Sequence, residues 1–174
     1  MKVMCISDIH GNIECLNKAI DRYKEEKAEK LIILGDFSSY YFSSTDFEVA
    51  EILNNMAGTI IAVKGNCDST QIDQILNFGL GYIKNITINN IKITLTHGHI
   101  YNRNNLPESC GDIFLSGHTH VGSLEKIGDK IIANPGSISK PRGGSKRSYL
   151  IIDDESIELK TLKGETIKRV DVKS

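Results

Sequence analysis

The sequence predicts an α/β fold layered as a three-layer or four-layer sandwich, and three features carry that expectation. In the first third, short apolar runs alternate with helical periodicity. Through the remainder, brief strand-like segments are separated by turn residues. Directly after several apolar runs stand clusters of carboxylate, amide and imidazole side chains, where strand ends in such folds gather ligand-binding loops.

Taken in order, Lys2 to Ser7 is an apolar run with the length of a buried strand. Ile13, Leu16, Ala19/Ile20 and Tyr23 then recur at helical spacing through a Lys/Glu-rich segment. Leu31 to Leu34 is a second run, ending at Gly35-Asp36. Thr45-Asp46-Phe47-Glu48 fits a capping box that opens a helix closing near Gly58. Thr59 to Val63 is a third strand, running into Gly65-Asn66. This βαβαβ order implies parallel strands joined by helical crossovers.

Beyond residue 80 the pattern changes. Ile86-Thr87-Ile88 and Ile91-Lys92-Ile93 flank Asn89-Asn90, a hairpin turn because Asn tolerates positive φ. Strand candidates follow at Ile113–Leu115, Ser123–Lys126, Lys130–Ala133, Tyr149–Ile152 and Ile157–Leu162, with turns at Gly128-Asp129 and Asp153-Asp154. This later sheet is expected to be mostly antiparallel. The 174 residues suit one domain, 1–174, with a buried core and no linker-like stretch.

Composition narrows the function classes. The 21 basic and 22 acidic residues leave a net charge of −1, which disfavours a general electrostatic grip on long nucleic acid or an acidic membrane. No stretch approaches the roughly 20 apolar residues of a spanning helix. Asp8 arrives too early for a signal peptide, and Cys5, Cys15, Cys67 and Cys110 lack disulfide-like spacing. A cytoplasmic location with reduced thiols is the expectation.

All five histidines fall in clusters: Asp8-Ile9-His10, His97-Gly98-His99 and His118-Thr119-His120. Asp36 and Asn66/Asp68 follow the second and third strand runs. On an extended chain, residues i and i+2 point the same way, so Asp8 and His10, or His118 and His120, are expected to reach one ion together. A carboxylate, amide and imidazole set without thiolate suits Mn²⁺, Fe²⁺, Zn²⁺ or Co²⁺ rather than Ca²⁺. One such cluster is weak evidence, since a lone His is more often an ordinary core or surface residue. Five clusters at successive strand ends carry the argument jointly.

Asp8-x-His10, Gly35-Asp36, Gly65-Asn66-x-Asp68, His97-Gly98-His99 and Gly117-His118-x-His120 together resemble the signature of the calcineurin-like metallophosphoesterases. Gly65–Asp68, Thr96–His99, Gly117–His120 and Asn134–Ser137 are similar to segments of the small, single-domain YfcE-type phosphodiesterases. The likeness runs from residue 2 to about 152. It implies a four-layer α-β-β-α sandwich of two mixed sheets flanked by helices. It also implies two divalent ions, Mn²⁺ first, with Zn²⁺, Fe²⁺, Co²⁺ and Ni²⁺ as alternatives. Asp8, His10 and His120 would hold one ion and Asn66, His97 and His118 the other, with Asp36 bridging. Such ions, ~3.5–4 Å apart, generate a bridging hydroxide that attacks phosphorus in line with the departing alkoxide. Asn66, His97, Cys67 and His99 are the catalytic candidates, the first two doubling as ligands.

Departures from the pattern matter as much. Many superfamily members carry His where this chain has Cys67, and an ordinary thiol is a poor proton donor at neutral pH. Good leaving groups are therefore expected to be preferred, or else Cys67 simply fills space beside the metals. His99 either meets the substrate phosphate, protonates the leaving group, or orients His97. Asp68 orients the ligands, caps the helix that follows, or does both. Asn134-Pro135-Gly136-Ser137 reads as a structural turn. Pro141-Arg142-Gly143-Gly144 and Lys146-Arg147 form a short basic loop, expected to be solvated, with phosphate contact as the alternative. Phe37, Tyr40, Tyr41 and Phe42 replace a longer Gly-Pro-Arg loop of close relatives; core or interface packing is expected, with stacking on an aromatic leaving group as the alternative. The partner expected is a small phosphodiester, with neither membrane nor long nucleic acid and with self-association into a homo-oligomer. Competing readings are a metal-binding interaction scaffold resembling a retromer subunit, and a phosphomonoesterase or nucleotide hydrolase.

Overall fold

The computed structural model describes residues 1–172 of the chain. In order it contains β1 (Val3–Ile6), α1 (Ile13–Glu25), β2 (Lys30–Ile33), α2 (Ser44–Asn54), a short 3₁₀ turn (Ala57–Thr59), β3 (Ile60–Ala62) and α3 (Thr70–Ile75). The strands β4 (Ile83–Ile88), β5 (Ile91–Thr96), β6 (Ile113–Ser116), β7 (Gly122–Ile127) and β8 (Lys130–Pro135) follow. Last come β9 (Ser148–Ile152), β10 (Ser156–Thr161) and β11 (Thr166–Asp171).

Two mixed sheets face each other. The first runs β11-β10-β9-β1-β2-β3 and the second β4-β5-β6-β8-β7. Within the first, β1, β2 and β3 are parallel, as the βαβαβ pattern requires, while β9 lies antiparallel to β1. Strict alternation along the central strands explains the layering. Met4, Ile6, Leu31, Ile33, Tyr149 and Ile151 point to a core shared with α1, α2 and α3. Their neighbours Val3, Cys5, Ile32, Leu34, Leu150 and Ile152 point to a second core against Ile93, Leu95, Ile113 and Leu115 of the other sheet. A strand buried on both faces has no polar positions to spare, which is why these segments read as unbroken apolar runs. Among the described residues no helix follows α3, and the buried apolar side chains of all three helices join the first sheet's outer core.

Several sequence expectations need correction. The second sheet is not mostly antiparallel: β5–β6 and β6–β8 pair in parallel, β4–β5 and β7–β8 antiparallel. The late strands β9 and β10 join the first sheet: β9 is buried on both faces, and β10 adds Ile157 and Leu159 to the core between the sheets. The capping box begins at Ser43 rather than Thr45, with Asp46 reaching back to the Ser43 N–H, and the helix stops at Asn54, short of Gly58. Edge strand β11 was invisible in the pattern, since its residues are almost all exposed and carry no buried period. The Asn89-Asn90 hairpin forms as expected, with φ of 51° and 65°.

Candidate metal centre

Parallel strands of both sheets end at one place. Asp8 follows β1, Asp36 follows β2, Asn66 follows β3, His97 follows β5 and His118 follows β6. Backbone bonds stitch these loops together: Asp8 N–H donates to Gly35, His10 N–H to Asp36, Gly11 N–H to Phe37 and Gly117 N–H to His97. The close approach explains two glycines. A Cβ on Gly65 would collide with the Asp36 carboxylate, and one on Gly117 with Ser7 and Asp8.

The local geometry overturns the extended-chain argument for Asp8/His10 and His118/His120. Asp8, His10, Asp36, His118 and His120 all have left-handed backbones, with φ of 59°, 49°, 55°, 69° and 61°. Each such residue costs of order 1–2 kcal/mol, so the fold holds them by tertiary bonds rather than by local preference. Asp8 is held by the Ser137 and Ser139 hydroxyls, which both donate to its carbonyl at 2.8 Å. Asn134 anchors the opposite loop, its amide donating to the Gly117 carbonyl. The Asn134–Ser137 turn, with Ser139, is therefore scaffolding for Asp8 and for the His118 loop.

Asp8, His10, Asp36 and His120 offer ligand atoms that all lie within 4.8 Å of one another. His120 Nε2 is 3.1 Å from Asp8 Oδ1 and 3.2 Å from His10 Nε2. Asp36 divides its two oxygens between different tasks. Oδ1 accepts the Cys67 N–H, whereas Oδ2 stands 3.6 Å from His10 Nε2 and 3.3 Å from His97 Nε2. The same oxygen thus faces both halves of the expected site. In the second half, Asn66 Oδ1 lies 3.0 Å from His97 Nε2 and the His118 ring is 5.1 Å, centroid to centroid, from that of His97. This half is looser than the first.

Hydrogen bonding at the far side of each ring tests whether the residues fit a cation. His97 Nδ1 lies 2.6 Å from the Leu34 carbonyl and His120 Nδ1 2.6 Å from the Lys140 carbonyl. A carbonyl can only accept, so each Nδ1 carries a proton, and the neutral ring then turns the lone pair of Nε2 inward. Those lone pairs face acceptors: a carboxylate oxygen, an amide oxygen and another imidazole. Asp8 Oδ1 is buried without a hydrogen-bond donor. Only a second ring proton or a cation relieves such a convergence, and the donor set suits a divalent metal.

The electrostatics agree. Burial pushes the Asp8 carboxyl up, but the His10 and His120 rings outweigh it and hold Asp8 well below the usual carboxylate range. Burial pulls His97 down, and the Asp36 carboxylate more than reverses it. The Asp8 carboxylate holds His120 above its ordinary value in the same way. In each case the carboxylates call for positive charge at Nε2.

Asp68 has a role that the sequence stated only as one of two. Its carboxylate accepts four backbone N–H groups, those of Asp36 and Gly65 at Oδ2 and those of Phe37 and Ser38 at Oδ1. The helix cap falls instead at Ser69, so the capping reading of Asp68 is set aside. Cys67 sits beside Asp36, and burial first, then the Asp36 charge, pushes its thiol up to about 12. His99 packs against His97, His118 and Tyr82, and its Nδ1 is buried without a partner. Burial and the two neighbouring imidazoles hold it below its ordinary value. Phe37 is core, whereas Tyr40 and Tyr41 are 79% and 83% exposed.

Comparison with known proteins places this geometry among relatives. The model of the calcineurin-like phosphoesterase superfamily domain matches residues 1–156. The chain is 33% identical to the phosphodiesterase YfcE of Escherichia coli over 96% of its length and 95% of the relative's. It is 28% identical to a phosphodiesterase, MJ0936, of Methanocaldococcus jannaschii over 78% of this chain and 83% of that one. The solved E. coli YfcE structure, a phosphoesterase, superposes with a TM-score of 0.92 at 31% identity, covering 99% of this chain and 100% of the other. Zinc-complexed Vps29 from Entamoeba histolytica superposes at 0.70 with 26% identity, covering 99% of both chains. Among the described residues no helix is long and apolar enough to cross a membrane.

Proposed function

This chain belongs to the calcineurin-like phosphoesterase superfamily, and from that premise we propose that it is a metal-dependent phosphodiesterase acting in the cytoplasm on small phosphodiesters. The observation that carries the reading is the convergence of imidazole Nε2 atoms on the carboxylate oxygens Asp8 Oδ1 and Asp36 Oδ2. Asp8, His10 and His120 would hold one ion, and Asn66, His97 and His118 the other, within one domain spanning 1–174. A pair of divalent ions held there, Mn²⁺ foremost, would supply a hydroxide nucleophile at neutral pH and offset charge on the phosphoryl oxygens.

The chain's own groups divide the remaining work. The Cys67 N–H fixes Asp36 Oδ1, which leaves Oδ2 facing both His10 and His97. Leu34 and Lys140 carbonyls orient His97 and His120. His99, held neutral beside two other imidazoles, suits a donor to a substrate phosphate oxygen better than a proton source for the leaving group. The Cys67 thiol stays protonated and donates poorly, so the leaving alkoxide gains little help from the protein. Esters with good leaving groups are the substrates such a site turns over best.

Similarity to Vps29 keeps a metal-binding interaction scaffold as the competing reading. The test is hydrolysis of bis-aryl phosphate by Mn²⁺-reconstituted protein, beside aryl monoesters and the Asp36→Ala variant. Metal-dependent diester cleavage lost in that variant is expected. Bound Mn²⁺ without hydrolysis would favour the scaffold, and faster monoester cleavage the phosphomonoesterase.

A further inference from the structure

A cavity of about 730 Å³ opens between α1, the loop before β9 and the β10–β11 turn, and none of its lining residues belongs to the metal cluster. Three separate stretches of chain send cations to it: Lys18 and Arg22 from α1, Lys146 and Arg147 from the basic loop, and Lys163 from the turn. This concentration stands out on a chain whose net charge is −1. The carboxylates present are fewer. Glu14 pairs with Lys18 and Glu25 with Arg22 along the helix, Glu165 lies 4.0 Å from Lys146, and Asp21 is exposed on α1. Among the described residues, neither Lys163 nor Arg147 has a carboxylate within ion-pair distance. Pro141 and Leu162 add an apolar wall. The volume lies within the range of small-molecule sites and exceeds what a bare phosphate needs.

The same loop supports the metal centre. Arg147 Nε donates to the Ser139 carbonyl, and the Ser139 hydroxyl donates to the Asp8 carbonyl. Lys140 accepts from the His120 ring, and Arg142 N–H donates to the His120 carbonyl. Arg147 also holds the turn, its carbonyl accepting the Leu162 N–H. One arginine therefore lines the cavity and, through a single residue, touches the backbone of a metal-cluster carboxylate.

We propose that this cavity is a second binding site, for a nucleotide-sized phosphorylated small molecule, linked to the metal centre through Arg147 and the Ser139–His120 segment. The phosphate would sit between Arg147, Lys163 and Arg22, and the non-ionic part against Leu162 and Pro141. Its occupancy would bias the loop that shapes Asp8 and His120.

The experiment titrates AMP, with adenosine as the uncharged control, into metal-free ¹⁵N-labelled full-length protein. Saturable amide shifts at Arg22, Arg147 and Lys163 that extend to Ser139 and His120 are expected, with adenosine silent. An Arg22→Ala/Lys163→Ala double variant should bind AMP at least tenfold more weakly while keeping the wild-type amide spectrum elsewhere. His97→Ala should bind AMP normally. The proposal is overturned if no shift appears at 5 mM AMP, if shifts stop short of Ser139, or if the double variant keeps full affinity. Loss of binding in His97→Ala would instead assign the anion to the metal centre and overturn it equally.

Discussion

Replacing Asp68 by Ala isolates the physical role of a residue outside the metal cluster. Its carboxylate satisfies four backbone N–H groups at 2.7–3.2 Å, and the residue is 6% exposed. An orphaned buried donor costs about 1–3 kcal/mol, and water entering the vacated space recovers part of that. A net loss of about 3–5 kcal/mol follows, out of the 5–15 kcal/mol typical of a domain. At about 2–4 °C per kcal/mol for a chain of this size, the Tm should fall by about 10 °C. Because three of the four donors belong to Asp36 and the two residues after it, Mn²⁺ affinity should also drop 10–100-fold. Asp68→Asn should resemble Asp68→Ala, since its amide nitrogen would face donors rather than acceptors. Urea unfolding and calorimetric Mn²⁺ titration supply both readouts. A loss under 1 kcal/mol with unchanged metal affinity would refute the reasoning.

Three further outcomes follow from other contacts. Glu26 accepts from Tyr149 and Lys160, and although burial pushes its carboxyl up, these partners bring it below its ordinary value. A carboxylate depressed in the folded state stabilises above its unfolded pKa, so Glu26→Gln should cost about 1–3 kcal/mol at pH 7 and progressively less as pH falls below about 4, measured by urea melts across pH. Cys67→His should raise turnover on alkyl diesters with poor leaving groups about tenfold while leaving aryl diesters nearly unchanged, because only the former need a proton donor; equal effects on both would remove that role. His99→Ala should retain full metal content by elemental analysis and raise KM for aryl diesters about tenfold with a smaller change in kcat; normal kinetics would leave His99 a packing residue.

Much of this was legible in the sequence for a physical reason. Strands β1, β2 and β3 are covered on both faces, so their apolar runs are unmistakable, and Asp8, Asp36 and Asn66 follow them directly. The joint pattern of five polar clusters at strand ends marked His10, His97, His118 and His120 as candidate ligands. What stayed hidden was set by distant partners. Left-handed Asp8 and His10 depend on bonds to Gly35 and Asp36, and no local propensity announces them. For Asp68 the sequence left orienting and capping roles side by side, because three of its four amide donors lie about thirty residues away. Strand β11, exposed at an edge, left no buried period to read. The pairing of β9 with β1, across the whole chain, was likewise beyond any local pattern.

We propose that Asp36 would serve two ions that act together. Counting bound Mn²⁺ per chain while following bis-aryl phosphate hydrolysis through a metal titration tests this most directly. Two ions per chain are expected, with turnover rising only as the second equivalent binds, and with Asp36→Ala losing both cooperation and activity. Full turnover at one ion per chain, or unaltered activity in Asp36→Ala, would contradict it.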